Sequence, residues 1–233
     1  MADALIVCVR GGQVEAVRLC LDRGGIQPDL ANVRGETPLC VACEWGHVDV
    51  ATLLLNRGAD VNRAEERHGQ TPLYSACMFS HLDAVRLCLD RGADVTIADN
   101  GQWTPLHIAC MSGLTEAVRL LLERGADINR VDELGQSPLH LACYGGQADA
   151  VRVCLEHGSI YIDLLDDTGD TPLDNARNQG YGALAQRLEH IQEAGSWTRY
   201  LSEPRYKLAV LREAAARGWA QRERAFHGKE RVL

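Results

Sequence analysis

The chain has 233 residues, of which 24% are charged and 46% apolar, values that describe a folded protein with its own core and exclude wholesale disorder. No run of about 18 apolar residues occurs, so no membrane span is expected, and Met1-Ala2-Asp3 opens no basic-then-apolar secretory signal. The net charge of −8 argues against nucleic acid as the main partner.

Read in chain order, one pattern recurs. Thr-Pro-Leu or Ser-Pro-Leu starts at residues 37, 71, 104, 137 and 171, at intervals of 34, 33, 33 and 34. A second marker, Arg-Gly or His-Gly, has its glycine at 24, 58, 92, 125 and 158. Two independent markers that keep one period predict a stacked solenoid with units near 1–31, 32–65, 66–98, 99–131, 132–165 and 166–195. Each unit reads helix, turn, helix, loop. In the fourth, Thr104 is an N-cap and Pro105 suits the first helical position, where its missing N–H costs nothing. Gly113 can take the left-handed stop. A second helix follows from Glu116 to Arg124, with Val118, Leu121 and Leu122 at helical spacing.

These residues resemble the ankyrin repeat. Residues 104–109 read Thr-Pro-Leu-His-Ile-Ala, which matches the family signature T-P-L-H-x-A, and residues 137–142 depart from it only at Ser137. The histidine slot holds Cys40, Tyr74 and Asp174 in other units, and Gly-Ala-Asp recurs at 58–60, 92–94 and 125–127. The resemblance covers about residues 2–194 as six units, with degenerate first and last units as expected of ends that face water. It implies an all-α solenoid of helix-turn-helix units joined by loops or β-hairpins. It also implies that His107 and His140 tie helix starts to adjacent loops, and that partners meet the concave face of the first helices and the loop tips.

Nine cysteines are present. Cys43, Cys77, Cys110 and Cys143 recur in a slot that the family usually fills with alanine, and Cys20, Cys88 and Cys154 recur where other units have Leu54 and Leu121. The thiols read as small core fillers in a reducing compartment, the cytoplasm or nucleus, because equivalent positions in stacked units lie beyond disulfide reach. Cys40, Cys43 and His47 have the spacing of ligands on one helix face, but each fills a slot of the repeat and no second pair completes a tetrahedral set. No metal and no cofactor are expected. No phosphate loop, H-E-x-x-H or activated nucleophile stands out from the grid, so no catalytic residue is assigned.

Positions that the signature leaves free show where a partner would bind. The chain has 12 aromatics, and Trp45, Phe79, Trp103 and Tyr144 fall on free sites at the ends of first helices or just before Thr-Pro-Leu, with Met78 and Met111 beside them. Such anchors carry most interface energy, although some can turn inward against the neighbouring unit. Around them lie acids, among them Glu66, Asp99, Asp132 and Glu133. Together they suggest a protein partner with an apolar patch and a basic rim. Oligomeric state is not legible.

Periodicity stops after Gly195. Residues 196–233 hold nine Lys+Arg and four acids, a net +5, which leaves 15 cations and 28 acids, a net −13, in residues 1–195. Both lysines, Lys207 and Lys229, lie in this tail. Trp197, Tyr200, Leu208 and Leu211 fit an amphipathic helix, and Trp219 and Phe226 mark a second segment. The tail reads as a cap on the last unit, a docking helix for a second protein (as in adaptors that recruit ubiquitin ligases), or an electrostatic clamp.

Overall fold

A computed structural model of the chain describes residues 2–195, and the tail candidates Trp197, Tyr200, Leu208, Leu211, Trp219 and Phe226 lie outside the described residues. The chain divides into two compact units, residues 1–184 and 185–233. In the first, helices alternate in two rows. One row holds α1 (Ala2–Arg10), α3 (Pro38–Glu44), α5 (Pro72–Met78), α7 (Pro105–Ser112), α9 (Pro138–Tyr144) and α11 (Pro172–Asn178), each packed on the next. The other holds α2 (Val14–Gly24), α4 (Val48–Asn56), α6 (Leu82–Asp90), α8 (Thr115–Glu123) and α10 (Ala148–Glu156). A last helix, α12 (Gly182–Ala194), crosses the division between the units.

Local chemistry explains the boundaries. At every first helix from α3 on, a threonine or serine hydroxyl accepts the N–H three residues later and proline opens the helix, as the sequence predicts. A helix of seven or eight residues is too short to persist alone, so packing supplies the rest. Leu39, Leu73, Leu106 and Leu139 and the alanines at 42, 76, 109 and 142 are buried in the first row. The second row faces them with Val50, Val85, Val118 and Val151.

The histidine slot carries the bridge between units. His107 Nδ1 accepts from the Thr104 N–H at 3.1 Å, and this lone pair fixes the proton on Nε2, which donates to the Gln136 carbonyl of the next loop at 3.2 Å. His140 repeats the arrangement with Ser137 and with the Asp170 carbonyl. Cys40 Sγ reaches the Arg63 and Gln70 carbonyls at 3.5 and 3.4 Å, so this departure from the signature keeps the link with a weaker donor.

Hairpins with paired strands, one of the two expected connections, are not seen among the described residues. The turn before α7 closes with two backbone bonds, Asp99 N–H to Trp103 C=O at 2.9 Å and Gln102 N–H to Asp99 C=O at 3.0 Å, and then bonds sideways to its neighbour through Asn100 N–H to His68 C=O at 2.8 Å. These bonds stay within one turn and continue into no ladder, so the connections are tight turns stacked edge to edge.

A further lateral series starts the second helices α4 and α6. His47 Nε2 bonds the Arg10 carbonyl and His81 Nε2 the Glu44 carbonyl, both at 3.1 Å. The close approach requires Gly46, with φ +69°, because a Cβ there would sit 2.5 Å from His81 Nδ1. Ser80 takes the same left-handed conformation at φ +60° with a side chain attached. Left-handed backbone costs a non-glycine residue about 1 kcal/mol or more, so Ser80→Gly should raise the thermal midpoint by roughly 2–4 °C, while Gly46→Ala should lower it by more. Differential scanning calorimetry of both variants checks the opposite signs.

The same network sets a pH response. Burial holds the His107 and His140 imidazoles below the usual histidine range, and the backbone bonds to Gln136 and Asp170 only partly offset it. Folded groups with a depressed pKa bind fewer protons than unfolded ones, so the stability they confer is complete above about pH 6.5 and falls as the pH drops below it. Chemical unfolding at pH 7.5 and 5.5 should show a loss that the double variant His107→Gln/His140→Gln largely lacks; an equal loss in both would contradict it.

Candidate functional site

The first helices end in a row of side chains that the core does not use. Trp45, Met78, Phe79 and Tyr144 are exposed by 48%, 42%, 45% and 45% at the C-terminal ends of α3, α5 and α9. They stand there because each first helix stops after about two turns, with its buried leucines and alanines on one side and these positions on the other. Met111 and Trp103 are half-buried and contribute less surface than the sequence pattern implies. Trp103 sits where its own N–H is held by Asp99 Oδ1 at 2.9 Å, at the exit of a tight turn.

The acids divide in the same way. Glu66 and Glu133 are exposed at loop tips, whereas Asp132 is buried and Asp99 half-buried. Asp132 Oδ1 accepts the N–H groups of Leu134 at 2.9 Å and Gln136 at 2.8 Å, and Asp99 Oδ1 those of Gly101 and Trp103. An aspartate that begins a turn can hydrogen-bond the backbone two and four residues on, so these carboxylates shape the loops. The expectation that Asp132 lines an acidic rim is corrected on this ground: its side chain faces into its own turn.

A cavity of about 430 Å³ opens between α3, α5 and the loops that precede them. Met78 and Phe79 line it together with Val41 and Glu44 of α3, and Arg34 and Arg67 come from the two loops. Sequence reasoning singled out Met78 and Phe79 but not Glu44 or the arginines, because a helix-end glutamate looks like any solvated charge. It also missed Val33, Leu134, Tyr161 and Leu165, which are exposed by 90%, 60%, 62% and 59%. Val33 is apolar where other turns carry Glu66, Asn100, Glu133 or Asp167, and Leu134 is apolar where others carry Arg34, Gly101 or Thr168; that contrast was the available signal.

The cysteines are free thiols, and those in the helix rows from Cys40 to Cys154 are buried. Two pairs meet: Cys43 Sγ lies 3.6 Å from Cys88 Sγ, and Cys110 Sγ lies 3.7 Å from Cys154 Sγ. Equivalent positions do not approach each other in this way; the pairs join a first helix to the second helix of the following unit, a contact that spacing within one series does not reveal. Cys40, Cys43 and His47 are turned to different partners, the Arg63 and Gln70 carbonyls, Cys88 and the Arg10 carbonyl respectively. No group of three or more potential ligands is arranged around a metal position among the described residues.

Short capped helices in two rows, bridged by histidines to stacked turns, define a helical repeat solenoid of the kind that presents a side-chain row to other proteins. Family models described as ankyrin repeats (3 copies) and ankyrin repeats (many copies) match residues 2–65 and 62–132, and 121–176, respectively. The chain belongs to the ankyrin-repeat family. Ankyrin repeats generally mediate protein–protein interaction and are generally non-catalytic. No curated protein matches the chain. No helix among the described residues is long and apolar enough to cross a membrane.

Asp132→Ala leaves two turn N–H groups without their acceptor and should cost about 1–3 kcal/mol, whereas Glu133→Ala should change stability by less than about 0.5 kcal/mol. Urea unfolding of the two variants distinguishes a turn-forming carboxylate from a surface one; equal, small effects would contradict the assignment.

Proposed function

We propose that this protein is a non-catalytic scaffold that captures another protein on the face made by its first helices and stacked turns. The observation that carries the reading is the row of Trp45, Met78, Phe79 and Tyr144, four large apolar side chains exposed at the ends of three first helices in one unit. Exposed singly they would call for no explanation, but repeated on one row they are the anchors that interface cores use. The short, hydrogen-bonded elements hold them in place before binding, so little ordering entropy is lost on association. Glu66 and Glu133 at the turn tips favour a partner with basic groups around its apolar patch. Nine unpaired cysteines suit a reducing compartment, the cytoplasm or nucleus.

The charge division supports an adaptor role as a second reading. Residues 196–233 carry +5 against −13 for the rest, so a second protein could dock through the tail while the array recruits a client, as a subunit of a larger assembly.

Replacing Trp45, Met78, Phe79 and Tyr144 together by alanine should abolish capture of partners from a cell lysate while leaving the circular-dichroism melt within a few degrees of the parent. Each anchor is worth about 2 kcal/mol, so losing the four together, about 8 kcal/mol, takes even a nanomolar complex to roughly millimolar affinity. Unchanged capture by the folded quadruple variant would refute the reading, whatever the tail does.

A further inference from the structure

The cavity between α3 and α5 has a charge arrangement that its own residues leave incomplete. Arg10, whose charge reaches Glu44, is taken up by Glu36, whose two carboxylate oxygens lie 3.1 and 3.2 Å from its guanidinium. Asn32 also donates to Glu36 at 2.8 Å. Glu65, on the other wall, spends its carboxylate on the N–H groups of Arg67, His68 and Gln70. Glu44 is left half-buried, with no hydrogen bond or ion pair to its carboxylate among the described residues. Burial pushes its carboxyl above the usual carboxylate range, Arg10 opposes this and Glu36 adds to it. Beside it stand the apolar Val41 and the exposed Met78 and Phe79, and the loops contribute Arg34 and Arg67, both exposed and without a carboxylate partner among the described residues.

Given the protein-binding reading above, on which this inference rests, we propose that the cavity is a recognition subsite for a peptide segment carrying both charges. A lysine or arginine enters beside Phe79 and pairs with Glu44, while an acidic residue a few positions away pairs with Arg34 and Arg67. Three features select this occupant. The carboxylate is partly desolvated, so a cation gains more from it than from an exposed acid. Phe79 offers a ring to the same cation, and the methylene stem of a long basic side chain covers the exposed Met78. The two guanidiniums, from the equivalent loops 33 residues apart, disfavour a purely basic segment and favour one with an acid beside its cation. A volume of about 430 Å³ has room for a long basic side chain and part of the segment that carries it.

A random peptide library displayed on phage, selected against the full chain, tests the subsite directly. Selected peptides should share a lysine or arginine with an aspartate or glutamate within a few positions. In fluorescence-anisotropy titrations, Glu44→Gln should weaken them about tenfold or more, since hydrogen bonds between charged groups carry that much. Changing the peptide cation to glutamine should cost the same factor, and the two changes together no more than either alone. Arg34→Ala/Arg67→Ala should weaken only peptides that keep their acid. Glu44 makes no side-chain bond among the described residues, so Glu44→Gln should melt with the parent. Peptides that depend on Phe79 but lack a cation, or that ignore Glu44→Gln, would overturn the subsite and leave the broader reading intact. Failure to select any peptide sensitive to Phe79→Ala or Glu44→Gln would overturn both.

Discussion

A pair of helices of seven to nine residues cannot bury both of its sides, so each unit depends on the next, and the bond that commits one to the other is the side-chain bridge from the third position of the first helix. His107 and His140 make it with an imidazole whose Nδ1 is consumed by the local cap and whose Nε2 proton is aimed at a neighbouring carbonyl. One residue thereby closes a helix start, sets the tilt of the following turn and requires a neutral ring. Where Cys40 stands instead, the link survives through a thiol that two carbonyls accept from. The turns inherit their order from these bridges, and each then bonds its neighbour through the backbone.

This order gives the surface its character. The row of Trp45, Met78, Phe79 and Tyr144 projects from helix ends fixed by the cap before them and by the core beneath, and the end of α3, which carries Trp45, is held further by His81 on the Glu44 carbonyl. Repetition also makes differences between units meaningful. Glu36 neutralises Arg10 and Glu65 closes its own turn, so Glu44 is left alone in the cavity wall although all three are glutamates of similar appearance in the sequence.

Much of the fold was legible because its signals are local and repeated. Thr104, Pro105 and Gly113 specify a helix start and stop by their own chemistry, and a period kept by two markers extends that reading along the array. What was not legible depends on contacts between non-equivalent positions. Cys43 meets Cys88, 45 residues away, across two different helix rows, and nothing in either cysteine series signals it. Asp132 and Glu133 are adjacent acids, yet one faces into its turn and the other faces water, a difference set by the backbone N–H groups of Leu134 and Gln136. The lone carboxylate of Glu44 depends on where Arg10 goes, and Arg10 goes to a partner 26 residues on.

The central claim is that the first-helix row is the binding face. It is tested most directly by placing a photo-crosslinking amino acid at position 45, 79 or 144, and separately at the exposed positions 83 and 116 of the second row, in the protein expressed in its native cell. The account predicts one recurrent crosslinked protein from positions 45, 79 and 144 and none from 83 and 116. The same protein crosslinked from 83 and 116, with the first-row positions silent, would contradict it.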